Sequence, residues 1–211
     1  MEKLDYVITI VAPVYNQCDS IKEILPLLID ELDKKYQNFE VLIVDDASQD
    51  ETTSIIDGLL NDIKRVRYIR LGRHLGKEAA ITTGLRNAIG DFVAVMSLKE
   101  DPVEAVSLLI EAAMNNKKGV VLGIQENPKK KSFFMALLTR IFHWYCKRSM
   151  GLVLPDAFEM FMVLNRKSVN NLTKGKTSEC FSRIISLERA EVKYRAKTHA
   201  ADNPNFTFMK K

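Results

Sequence analysis

Short apolar runs alternate with helix-length amphipathic segments through the first 124 residues of this 211-residue chain. No other feature narrows the fold as much. Residues 6–12, 40–44, 66–71, 92–96 and 119–124 are mostly apolar and read as strands. Residues 20–35, 52–61, 77–88 and 102–115 read as helices between them. In the first helix Ile21, Ile24, Leu25, Leu28 and Leu32 share one face, Ser20 serves as the cap and Glu23 stands at capping-box spacing. Asp50 and Glu51 favour the start of the second helix. Gly76 and Gly90 bound the third, and Pro102 suits the first turn of the fourth. Strands apolar on both faces and joined by helices imply an α/β fold, a mostly parallel sheet flanked by helices.

Such sheets bind ligands beyond the carboxyl ends of their strands. Those ends carry Pro13-Val14-Tyr15-Asn16, Asp45-Asp46-Ala47-Ser48, Gly72-Arg73-His74 and Ser97-Leu98-Lys99, which parallel strands would gather on one rim. Asp45-Asp46 follows the apolar run 41–44, where a buried carboxylate is costly unless paired or solvated. The pair therefore either caps the next turn or contacts a ligand. One Asp can accept a bond from a pyrimidine N–H and the other can take ribose hydroxyls. Tyr15 or Arg73 can pack on a base, and Arg73 or Lys77 can neutralise phosphate. The set suits a nucleoside diphosphate. No G-x-G-x-x-G follows the first strand and no Walker lysine motif is present.

Length and composition fit one domain with a sizeable core. No apolar run reaches the roughly 18 residues of a membrane span, and Met1-Glu2-Lys3-Leu4-Asp5 lacks the shape of a signal peptide. Cys18, Cys146 and Cys180 are far apart and odd in number, which fits passive thiols in a reducing compartment. The net charge of +4 is unevenly spread. Residues 1–116 hold 12 Lys/Arg against 20 Asp/Glu, and residues 117–211 hold 19 against 7. The basic half suggests an anionic partner such as a membrane surface or a lipid phosphate, or else plain solubilising charge. The stretch 129–150, opened by Lys129-Lys130-Lys131 and closed by Met150, carries Trp144 and Tyr145 among apolar residues. It reads as a peripheral contact with an anionic membrane or as a core-packing helix with a solvated lysine face. No nucleic-acid-binding module accompanies the charge, so no nucleic acid is expected. Residues 158–164 and 192–196 read as further strands and 180–187 as a helix.

Four segments carry a resemblance. Val11-Ala12-Pro13-Val14-Tyr15-Asn16, Val44-Asp45-Asp46-Ala47-Ser48-Gln49-Asp50, Leu71-Gly72-Arg73-His74-Leu75-Gly76-Lys77-Glu78-Ala79-Ala80 and Gly90-Asp91-Phe92-Val93 resemble, in order and spacing, the GT-A fold inverting glycosyltransferases of family 2. The dolichyl- and polyprenyl-phosphate sugar synthases are the nearest branch. The resemblance covers residues 6–102 and continues more weakly through 161–166. It implies a GT-A domain over 1–211, with 1–124 as the nucleotide-binding half and 125–211 as the basic, acceptor-side half. It further implies a UDP- or GDP-linked sugar donor and transfer to a lipid-phosphate or glycan acceptor, in the cytoplasm or at the inner face of the membrane. Asp45 and Asp46 match the position that binds base and ribose. Pro13, Tyr15 and Asn16 match the loop lining the nucleotide, and Arg73 a basic position near the base.

The departures are equally specific. The family carries a D-x-D-type motif at the end of the fourth strand to hold Mg²⁺ or Mn²⁺. Here Ser97 and Lys99 stand in its place, and the stretch before Asp101-Pro102 is one residue short. Either Asp101 or Glu100 supplies the metal ligand, or Lys99 offsets the diphosphate without metal. Gln17 stands where an acidic residue is usual, and Met162 where an arginine is usual. Asp101 and Asp156 are the candidate catalytic carboxylates. The alternative to an enzyme is a catalytically silent relative acting as a binding or assembly module.

Overall fold

The computed structural model describes residues 4–116, 118–125, 148, 160–174 and 189–194. Their elements are β1 (Leu4–Val14), α1 (Cys18–Lys35), β2 (Tyr36–Asp45), α2 (Thr52–Asp62), β3 (Val66–Arg70), α3 (Lys77–Asn87), β4 (Phe92–Val95), α4 (Val103–Asn115), β5 (Val120–Gln125), β6 (Met162–Asn165), α5 (Arg166–Thr173) and β7 (Arg189–Tyr194). One seven-stranded sheet runs in the order β3-β2-β1-β4-β6-β5-β7. Only β6 runs against its neighbours.

Side chains alternate between two apolar layers, as the two-residue period of a strand requires. From β1, Ile8, Ile10, Ala12 and Val14 face a core shared with α1, α2 and α4, while Val11 faces the opposite layer under α3 and α5. Val41 and Ile43 of β2 join the first layer, and Leu42 and Val44 pack with Ala80 of α3. The central strands therefore have no solvated face, which is why their sequences run apolar without alternation.

Two local expectations need correction. α1 begins at Cys18, not Ser20, and its N-cap Gln17 makes no side-chain cap bond. α1 starts early because the main chain of Gln17 and Cys18 is already anchored, on Thr52 Oγ1 at 3.1 Å and Asp50 Oδ2 at 3.5 Å. Pro102 caps α4 in extended conformation just outside the helix. The helix expected over 180–187 and, Arg148 apart, the aromatic stretch 129–150 lie outside the described residues.

At the amino end of the sheet the chain approaches itself closely at Gly90. A Cβ there would lie 2.6 Å from Thr9 N and 2.8 Å from Val7 O, both main-chain atoms of β1. Thr9 in turn donates to the buried Glu40 at 2.7 Å and accepts from Gly90 N at 2.9 Å. Gly90→Ala is therefore expected to cost about 1–3 kcal/mol, as overpacking against unyielding backbone does. A denaturant melt of the variant checks this, and an unchanged midpoint would refute the close approach.

Candidate functional site

Register decides what meets at the other end of the sheet. Val14 pairs with Asp45 and Asp45 with Arg70, while Val11 pairs with Val95. The four following loops thus leave the sheet side by side. Each of the first three has a residue with positive φ: Asn16 at 51°, Ala47 at 61° and Gly76 at 95°. Asn and Ala in this region are strained, Ala more so, and such strain persists only where surrounding bonds over-determine it.

The Asp pair provides those bonds. Asp45 is wholly buried. Its Oδ1 accepts from Ser48 N at 2.8 Å and Ser48 Oγ at 2.5 Å, and its Oδ2 from Tyr68 Oη at 2.8 Å. Arg70 Nε lies 3.6 Å from Oδ2. Burial pushes the Tyr68 phenol up to about 12, helped by Asp45, so it remains a proton donor to the carboxylate. Asp45, expected as a ligand contact, organises the loop 46–50 in this structure. Asn16 has a similar role: its Oδ1 accepts from Gln49 N at 2.8 Å and its own N–H donates to Ser48 Oγ at 2.9 Å.

Asp46 ties the second loop to the third. Oδ1 accepts from Leu75 N and Oδ2 from Gly76 N, each at 2.7 Å, and His74 Nδ1 lies 2.8 Å from Oδ2. The His74 ring stacks on Tyr15 at 4.1 Å between centroids and 29° between planes. Asp46, His74 and Tyr15 thereby join three loops in one wall.

This wall borders a cavity of about 240 Å³. Pro13, Tyr15 and Gln17 line it from the first loop, Asp46 from the second, His74 and Lys77 from the third, and Ser97 and Glu100 from the fourth. Five of the expected residues, Pro13, Tyr15, Asp46, Lys77 and Ser97, are brought together. Arg73 borders a neighbouring, more open hollow that shares His74. Lys99 is exposed and does not line the cavity. The turn after β4 explains this. Asp101 Oδ2 accepts from Ser97 N at 2.7 Å and Leu98 enters the core, so Lys99 is turned outward. Asp101, expected as a catalytic or metal-binding carboxylate, is nearly buried and closes that turn. Asp156 lies outside the described residues. Sequence reasoning undervalued His74, although its place beside Arg73 on the rim was a signal.

The described residues lining the cavity do not make a divalent-metal site. Among the described residues no group of three or more His, Cys, Asp or Glu side chains is arranged to hold an ion. Both oxygens of Asp46 accept main-chain bonds, and Glu100 Oε2 lies 3.6 Å from Lys77 Nζ. Ser97 and Gln17 contribute only neutral oxygens.

A doubly wound sheet with its cavity over the carboxyl edge and an antiparallel strand inserted beyond β4 is the GT-A fold. Solved structures agree on the fold. A mannosyltransferase from Pyrobaculum calidifontis, PcManGT, in complex with GDP-Man and Mn²⁺, superposes with a TM-score of 0.64 at 20% identity, covering 90% of this chain and 55% of that one. Glucosyl-3-phosphoglycerate synthase from Mycobacterium tuberculosis, in complex with phosphoglyceric acid, gives 0.64 at 15% identity, covering 92% and 72%. The chain belongs to glycosyl transferase family 2, whose profile matches residues 9–173. CsbB of Bacillus subtilis is 32% identical over 177 residues, which are 83% of this chain and 53% of CsbB. Undecaprenyl-phosphate 4-deoxy-4-formamido-L-arabinose transferase of Aeromonas hydrophila is 28% identical over 181 residues, 85% of this chain and 55% of that protein. The chain thus spans about half the length of these relatives.

Proposed function

We propose that this chain binds a UDP- or GDP-linked sugar in the rim cavity and transfers the sugar to a lipid phosphate of the polyprenyl class. The observation that carries this reading is the single cavity onto which four loops of a family 2 chain bring Pro13, Tyr15, Asp46, Lys77 and Ser97. Pro13 and Tyr15 offer apolar and aromatic surface to a base, and the wall around Asp46 and His74 offers polar contact to base or ribose. Lys77 and Ser97 face the diphosphate. A polyprenyl-phosphate acceptor is suggested by the name of the Aeromonas relative, and a glycan is the alternative acceptor.

In the transfer, an acceptor oxygen bonds to the anomeric carbon while the bond from that carbon to the diphosphate oxygen breaks. The electron pair leaves on the diphosphate. A phosphate acceptor is already ionised at neutral pH, so no general base is required. Catalysis then consists of alignment and stabilisation of the departing charge. We assign residues 1–124 to donor binding and 125–211 to the acceptor side, where the basic stretch 129–150 would meet the inner face of a membrane. No helix among the described residues is long and apolar enough to cross one.

The test is to incubate the full chain with UDP- and GDP-sugars and a short-chain polyprenyl phosphate, with and without Mn²⁺, and follow products by mass spectrometry. A glycosyl-phosphoryl-lipid is the expected product. Nucleotide binding without any transfer would favour the catalytically silent module.

A further inference from the structure

Resting on the nucleotide-sugar reading of the rim cavity, we propose that the donor diphosphate is held by Lys77 without a divalent cation. Glu100 is the counter-ion that Lys77 surrenders when the donor arrives.

The charges lining the cavity lead to this assignment. Asp46 is nearly buried, and its oxygens take the amides of Leu75 and Gly76 together with His74 Nδ1. A cation bound there would compete with the contacts that hold the wall. Asp101 is also nearly buried, engages Ser97 N and lies outside the cavity lining. Among the described residues Glu100 is therefore the remaining carboxylate on the lining, and its Oε2 is 3.6 Å from the Lys77 ammonium. A divalent ion on Glu100 would sit against a like charge. Hard cations such as Mg²⁺ and Mn²⁺ want oxygen ligands with negative charge, and among the described residues this cavity opposes its available carboxylate with a lysine.

The same groups suit an anion. Lys77 is the first residue of α3, so the positive end of an 11-residue helix adds to its charge. Ser97 on the facing loop contributes a hydroxyl to the lining. Gln17 supplies a neutral acceptor, since its Oε1 is buried without a hydrogen-bond partner among the described residues. That acceptor suits a donor hydroxyl and adds no negative charge to repel phosphate. Both members of the Lys77–Glu100 pair are substantially exposed, and such pairs are weak. A diphosphate carries more charge than one carboxylate and can take the ammonium from Glu100. Lys77 thus does locally what a bound cation would do: it neutralises the group that departs with the electron pair.

The test is calorimetric titration of the full chain with UDP and with GDP, in excess EDTA and in Mn²⁺, for the parent and for Lys77→Gln, Lys77→Arg and Glu100→Gln. One nucleotide is expected to bind with affinities that agree within about threefold between EDTA and Mn²⁺. Lys77→Gln should weaken that binding by about tenfold or more, and Lys77→Arg should largely preserve it. Glu100→Gln should bind as well as the parent or more tightly. Thermal melts establish that each variant is folded. Binding seen only with Mn²⁺, or abolished by Glu100→Gln, overturns this proposal and leaves the nucleotide reading intact. Unchanged affinity in folded Lys77→Gln overturns it as well. Failure of both nucleotides under every condition overturns the nucleotide reading and this proposal together.

Discussion

Replacing Asp45 by alanine is expected to destabilise the chain by about 3–5 kcal/mol, the sum for several buried donors left without an acceptor. Four donors lose a partner: Ser48 N, Ser48 Oγ, Tyr68 Oη and, at 3.5 Å, Thr53 Oγ1. Ser48 is itself buried, so water does not readily substitute. Arg70 also loses the contact at 3.6 Å but is half-exposed and hydrates instead. The released loop includes Ala47 at φ 61°, a conformation that nothing in alanine favours. Ser48 Oγ is the acceptor for Asn16 N, so the damage passes into the first loop. For a domain with a usual stability of about 5–15 kcal/mol this is a large fraction. Chemical denaturation of Asp45→Ala checks the figure. A loss below about 1 kcal/mol would mean that the carboxylate is dispensable to the loop.

The layered fold was legible because its signal is local and repeated. Residues 41–44 and 92–95 are apolar on both faces, a pattern that only a strand buried between two helical layers requires. α5 went unread for the opposite reason. Its sequence, Arg166–Thr173, has just Val169 and Leu172 as apolar anchors, too few to set a period. Its start was marked nonetheless: Asn165 accepts from Ser168 N at 2.9 Å, an Asn-x-x-Ser cap. The rim residues were legible as a group, because strand ends in a parallel sheet converge. Their separate roles were not. Whether Asp45 or Asp46 faces a ligand depends on Ser48, Tyr68, Leu75 and Gly76 as donors, and the last three are 23 to 30 residues away from the carboxylate they bind. The outward turn of Lys99 depends on how Asp101 closes on Ser97 N, a detail that charge pattern alone does not carry.

Asp46→Ala should have its main effect on binding, with a smaller effect on the fold. Its side chain is nearly as buried as that of Asp45, yet it works at the cavity wall, and its partners are less enclosed. Removing it frees the amides of Leu75 and Gly76, which water can reach, so about 1–2 kcal/mol of stability is the expected loss. The larger consequence is geometric. Gly76, at φ 95°, immediately precedes Lys77, and His74 is stacked on Tyr15. Without Asp46, the loop loses the two amide bonds that fix it, and both the aromatic stack and the lysine lose their position. A misplacement of this kind across a binding wall is expected to weaken UDP or GDP binding by about 30- to 100-fold, equivalent to about 2–3 kcal/mol. Asp46→Asn separates charge from shape. It keeps one acceptor oxygen but points an NH₂ group at a main-chain N–H or at His74, so it should lose binding nearly as strongly as alanine. Paired measurements of melting and calorimetric affinity on both variants decide the matter. A folded Asp46→Ala chain with parental nucleotide affinity would remove Asp46 from the wall of the site, and with it the coupling between the second and third loops on which the geometry of Lys77 depends.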